Sequence, residues 1–245
     1  MRHMTELERD ELITPLERAL VIFSHPDDAE FSAAATIAKL VGLGVSVDYV
    51  VTTDGAKGTE DPAMTPEMLA ATRVAEQRAA ADVLGVGEIV HLGYPDGYLT
   101  PSLDLRRDIT RQIRRLRPEL VIAQNPQRRS DGNPFIAHPD HLATGEATLS
   151  AVYPAARDRL NFPELIEEGL EPWKVRQVLV AGVERTNLWI DVADCLEVAL
   201  AALRCHASQI SDWEAVETRV RDRARESGEA VGMAAAQSFL SILLT

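Results

Sequence analysis

The chain has 245 residues, 46% of them hydrophobic and 26% charged, proportions that exclude disordered and fibrous classes. A length near the upper bound for one domain, about 250 residues, predicts a single domain over 1–245 with a sizeable core. The formal net charge of −13 argues against nucleic acid or an anionic membrane as partner, because phosphates are met by clustered Lys and Arg.

In chain order, the opening residues after Met1 are charged and lack the apolar run of a signal peptide. Ala19 to Phe23 is a continuous apolar run, as expected of a strand covered on both faces. It leads into Ser24, His25, Pro26, Asp27 and Asp28, after which Ala29 to Val41 has helical spacing and ends at Gly42 and Gly44. Val45 to Thr52 reads as a second strand, followed by a polar loop from Thr53 to Pro66. A helix from about Glu67 to Leu84, a strand from Glu88 to Leu92 and a basic amphipathic helix from Leu103 to Leu116 come next. The arginines of that helix are read as a solvated outer face with partners on neighbouring elements.

Glu119 to Ala123 is a fourth buried strand, releasing a polar loop that runs to a second cluster, His138, Pro139, Asp140 and His141, at the start of a helix reaching about Val152. The connection from Pro154 to Pro172 reads as a small insertion or hinge. Strands at Val175–Ala181 and Asn187–Val192 and helices at Asp194–His206 and Asp212–Arg225 follow, and the apolar stretch Met233 to Leu244 reads as a packed terminal helix, too short to span a bilayer. This alternation predicts an α/β, Rossmann-like, doubly wound and mostly parallel sheet. Cys195 and Cys205 lack the spacing of a zinc site and are expected as free thiols in a reducing cytoplasm.

Both histidine clusters follow buried strands, where ligands of open α/β sheets collect. A hydrolytic zinc site takes three ligands from His, Asp and Glu and leaves a position for water. His25, Asp28 and His141 would fill that scheme, leaving Asp27 to accept a proton and His138 to stabilise an oxyanion or protonate a leaving amine. Such a donor set suits one Zn2+ per chain and also accepts Fe2+. The bland reading of a lone His-Pro-Asp is a helix cap. Asp140 reads as structural, either an anion at a helix start or a partner for a histidine. A nucleotide-binding Rossmann module is disfavoured, since the first βα turn lacks G-x-G-x-x-G and carries two aspartates.

The run His25–Pro26–Asp27–Asp28–Ala29–Glu30–Phe31, with His138–Pro139–Asp140–His141, resembles the two signature motifs of the LmbE-like or PIG-L family of zinc-dependent N-acetylglucosaminyl deacetylases. Thr52 to Gly55 with Gly58, Arg73 with Glu76, Leu92 with Gly93 and Asp96, and Leu203 to Gln209 resemble further family segments. The resemblance implies an LmbE-like fold and a hydrolase that removes an N-acetyl group from an N-acetylglucosamine-type small-molecule substrate, with homo-oligomerisation allowed. It implies zinc on His25, Asp28 and His141, Asp27 as base, His138 as acid or electrostatic partner, and Arg73 and Asp96 as substrate-binding. Amidases acting on thiol S-conjugates and deacetylases of antibiotic intermediates are alternatives within the family. Ile136 stands where mycothiol-pathway members carry an oxyanion-assisting tyrosine, which leaves Tyr94 or Tyr98 as substitutes.

Overall fold

The computed structural model describes residues 12–128 and 136–245. Arg129, Asp131 and Asn133, assigned to the polar loop before His138, and His3 lie outside the described residues. In chain order the elements are β1 (Arg18–Phe23), α1 (Asp28–Gly42), β2 (Ser46–Thr53), α2 (Pro66–Leu84), β3 (Ile89–Tyr94), α3 (Leu103–Leu116), β4 (Leu120–Gln124) and α4 (Pro139–Ser150). A wide turn at Ala151–Ala155 leads to α5 (Pro163–Glu167), β5 (Gln177–Ala181), β6 (Leu188–Asp191), α6 (Leu196–Leu203), α7 (Trp213–Glu229) and β7 (Ala236–Leu243).

The strands form one sheet in the order β3-β2-β1-β4-β5-β7-β6. The first five pair in parallel, whereas β7 runs antiparallel to both β5 and β6. The sheet is thus mostly parallel and doubly wound, as the alternation predicts. Strand β1 explains its own unbroken apolar sequence: Ala19, Val21 and Phe23 enter the core on one face and Leu20 and Ile22 the core on the other. From β1 the chain winds outward through β2 and β3 and then returns to place β4 on the other side of β1. The carboxyl ends of β1 and β4 therefore bound the switch in winding direction, the crevice where such sheets bind ligands.

Two expectations are corrected. Met233 to Leu244, read as a terminal helix, forms β7 between β5 and β6. Its polar residues do not face water along a helix: Gln237 Oε1 accepts from the N–H and hydroxyl of Thr36 at 2.8 and 2.7 Å, and Ser241 Oγ accepts from Gln177 Nε2 at 2.8 Å. Phe239 and Leu240 then join opposite cores, as alternate strand residues do. Arg114, assigned to the solvated face of α3, is 1% exposed. Its guanidinium donates to the carbonyls of Ala155, Ala156, Asp158 and Asn161 at 2.8 to 3.2 Å, fastening the start of the 154–172 segment to α3. The other α3 arginines do find partners at the surface, with Arg111 bidentate to Glu168 and Arg115 bidentate to Glu88, all at 2.9 Å. Among the described residues no helix is long and apolar enough to cross a membrane.

Candidate active site

The first motif begins where β1 stops. Ser24 directs its N–H and hydroxyl to Oε1 of Gln124, the last residue of β4, at 2.9 and 2.6 Å. With Oε1 so occupied, Gln124 Nε2 faces the motif and donates to Asp28 Oδ2 at 3.0 Å. The second motif is brought to the same place by α4, which packs closely on the end of β4: a Cβ on Gly145 would lie 2.6 Å from the Gln124 carbonyl oxygen, so only glycine fits.

Asp28 joins the motifs. Its Oδ2 is 3.2 Å from His25 Nδ1 and its Oδ1 is 3.1 Å from His141 Nε2. On its other side, His25 Nε2 lies 3.1 Å from Asp96 Oδ1 and 3.2 Å from Asp140 Oδ2. Asp140, fully buried, also accepts from the N–H groups of Gly97 and Leu99, so it is a partner for a histidine as expected. Burial opposes a charge on His25, but hydrogen bonds to Asp140, Asp28 and Asp96 outweigh it and push its pKa up to about 11. The same interactions hold Asp96 and Asp140 below the usual carboxylate range despite burial. Asp28 is lowered likewise, its burial outweighed by His141 and His25.

Asp27 occupies the cap position of α1 without capping it. Its φ of 104° and ψ of −29° lie in the left-handed region, and its side chain makes no hydrogen bond to the α1 amides. A non-glycine residue pays about 1–3 kcal/mol for such a backbone. The helix-cap reading of this aspartate is thereby overturned. Burial and the charge of Asp28 push Asp27 up to about 7, against the pull of Arg73. His138 is the true cap, its Nδ1 accepting from the Asp140 N–H at 3.2 Å. That bond leaves Nε2 as the protonated nitrogen of the neutral ring. Burial and the nearby His25 charge lower the pKa of His138, favouring the neutral form.

Arg73 and Asp96, expected to hold substrate, reach the site but are largely committed to the protein. Arg73 donates to the carbonyls of Gly55, Lys57 and Pro26 at 3.1, 3.1 and 2.8 Å, and its Nη2 is 3.4 Å from Asp27 Oδ2. Besides His25, Asp96 accepts from the Lys57 N–H at 3.1 Å. Of the two tyrosines, Tyr94 gives its hydroxyl to Asp108 on α3 at 2.7 Å, and Tyr98 remains exposed, its ring 3.5 Å from Lys57 Nζ. Ile136 is 80% exposed and points to no polar role. Gln124 escaped the sequence reading because a polar residue ending an apolar strand looks like the start of a loop.

The donor set fits a divalent metal ion. One potential ligand atom from each of His25, His138 and His141 lies within 4.8 Å of the others, and so does one from each of His25, Asp96, His138 and Asp140. Asp28 lies within hydrogen-bond distance of both His25 and His141, so the expected ligands His25, Asp28 and His141 are also together. Four carboxylates, Asp27, Asp28, Asp96 and Asp140, surround this cluster, an excess of negative charge that a cation would offset.

A family model described as PIG-L, GlcNAc-PI de-N-acetylase, matches residues 20–152, more than half of the chain and both motifs. The chain belongs to the PIG-L family. A diacetylchitobiose deacetylase of Thermococcus kodakarensis is 33% identical over 225 residues, covering 91% of this chain and 82% of that relative. A probable N-acetyl-alpha-D-glucosaminyl L-malate deacetylase 2 of Bacillus anthracis is 31% identical, covering 86% and 87%. The N,N'-diacetylchitobiose deacetylase from Pyrococcus horikoshii, solved in complex with its inhibitor MPG, matches with a TM-score of 0.87 and 32% identity over 94% of this chain and 85% of that one. PIG-L membership and these relatives support a deacetylase of the amino-sugar type, on the fold that the two motifs led us to expect.

Proposed function

We propose that the chain, acting as one LmbE-like unit, hydrolyses the acetamide of a small N-acetylglucosaminide, releasing acetate and a free amine. The observation that carries this reading is Asp28, whose two oxygens face His25 and His141 at the meeting of β1 and β4. The names of the relatives support the substrate class, with a diacetylchitobiose deacetylase matching over 91% of this chain. We assign one zinc ion to His25, Asp28 and His141, with ferrous iron as the alternative for such a donor set. When bound, the metal supplies a Lewis acid at the amide carbonyl and lowers the pKa of water to about 7.

Asp27 is the base. An aspartate pushed up to about 7 is poised near neutrality to take a proton from the attacking water and later return it. His138 meets the tetrahedral oxyanion with its Nε2–H, since its Nδ1 is spent on capping α4. The C–N bond then breaks as Asp27 or His138 protonates the departing amine. Arg73 keeps Pro26 and Asp27 in register with the Gly55–Lys57 loop, and Asp96 keeps His25 in place, while Tyr98 stands at the rim. A cytoplasmic location agrees with two free cysteines.

Acetate release should be measured for the metal-loaded protein on N-acetylglucosamine, diacetylchitobiose and an N-acetylglucosaminyl malate, with Asp27→Ala alongside. The substitution should lower kcat by about 10²–10⁴-fold with zinc retained. Full activity in Asp27→Ala would sink the assignment of the base, and activity unchanged by complete metal removal would sink the mechanism.

A further inference from the structure

The left-handed backbone of Asp27 is held by a side chain that plays no part in the chemistry above. The Asp27 N–H donates to Oε1 of Gln77 on α2 at 3.1 Å. Gln77 has no exposed surface. Its Nε2 faces both oxygens of Glu30, at 3.1 and 3.2 Å. A carboxylate only accepts, so the amide nitrogen of Gln77 must lie toward Glu30 and its oxygen must turn toward Asp27.

Glu30 cannot swing away. Its carboxylate also accepts from the Tyr49 hydroxyl on β2 at 3.2 Å and from His206 Nε2, after α6, at 3.1 Å. His206 is fully buried and its Nδ1 has no partner among the described residues, which leaves Nε2 as the protonated nitrogen. Two side chains, Tyr49 and His206, thus hold one carboxylate, the carboxylate orients one amide, and the amide grips the N–H that precedes the Asp27 side chain. In an ordinary cap, the backbone would turn to the extended region and the aspartate would bond the first amides of its helix. Gln77 holds the N–H of the conformation in which that does not occur.

We propose that Gln77, oriented by Glu30, Tyr49 and His206, is a positioning residue that keeps Asp27 left-handed and its carboxylate off the α1 amides. This rests on the reading of Asp27 as the base. The buried cluster is then a support for proton transfer, and the segment that follows α6 is tied to the site through His206.

Gln77→Met removes the acceptor at similar length. It should lower kcat at least tenfold, leave KM within twofold and zinc content unchanged, and speed hydrogen exchange of the Asp27 amide in NMR. The swap Glu30→Gln with Gln77→Glu reverses the polarity of the contact but keeps an acceptor for Asp27, so it should restore slow exchange and bring kcat within about threefold of wild type. Undiminished kcat in Gln77→Met, a change in KM alone, or an Asp27 amide that stays protected would overturn the proposal. Should Gln77→Met not fold, the swap decides: restored kcat with a protected Asp27 amide supports the proposal, and any other result overturns it. Lack of acetate release by the wild type would count against the deacetylase reading alone, and the exchange comparison would still decide whether Gln77 holds Asp27.

Discussion

One carboxylate oxygen of Asp28 lies 3.1 Å from Nε2 of His141, and through this contact the first motif meets the second. Asp28→Asn keeps the shape but removes the charge, and the variant should lose zinc affinity by more than a hundredfold in competitive chelator titrations. Gln124→Leu leaves the proposed ligands in place but removes the donor to Asp28 Oδ2, so a smaller loss of about 10–100-fold is expected.

His138 should separate chemistry from metal retention. His138→Asn can still cap α4 through its side-chain oxygen but has no proton at the Nε2 position. Its kcat should fall by about 10²–10³-fold while zinc stoichiometry, read by elemental analysis, stays at the wild-type value.

Arg114 is a test of the fold rather than of the site. Arg114→Met fills much of the same volume but takes the guanidinium donor from the carbonyls of Ala155 and Asn161, whereas those of Ala156 and Asp158 keep the N–H groups of Trp173 and Asn161. Each buried acceptor left unpaired costs about 1–3 kcal/mol, and partial solvation of the segment should bring the total to about 3 kcal/mol, read as a lower urea midpoint.

Glu119 gives a pH dependence far from the proposed metal ligands. Burial would raise its pKa, but the N–H groups of Arg18 and Glu17 and the Arg18 guanidinium together hold it below its ordinary value of 4.5. A carboxylate depressed on folding adds stability that is complete above the unfolded value and is lost as pH falls through the folded one. The stability gap between wild type and Glu119→Gln should therefore be constant near neutrality and close below about pH 4.5, as followed by urea unfolding at each pH.

Much of this arrangement was legible in the order of residues. Burial on both faces writes β1 and β4 as unbroken aliphatic runs, and the two His-Pro-Asp clusters stand directly or one loop beyond them, so the fold class and the meeting of the motifs could be foreseen. Asp140 was rightly read as a partner for a histidine. What could not be read depends on groups brought together by folding. Gln77 and Gln124 look like ordinary polar residues until Glu30 and Ser24 fix which end of each amide faces the site. Arg114 shares its sequence with solvated neighbours and differs only in having the 154–172 segment laid over it. Strand β7 was mistaken for a helix because Gln237 and Ser241 interrupt its apolar run, and their partners Thr36 and Gln177 are remote in sequence.

The place of β7 has a consequence for biosynthesis. Among the described residues β6 pairs with the sheet only through β7, which follows it in the chain. Until Ala236–Leu243 has been synthesised, the nascent chain carries β5 as an open aliphatic edge, Val178, Leu179 and Val180, and β6 as an unattached ribbon. Such an edge is a template for pairing with other chains. That edge is covered once Ala236–Leu243 pairs with β5.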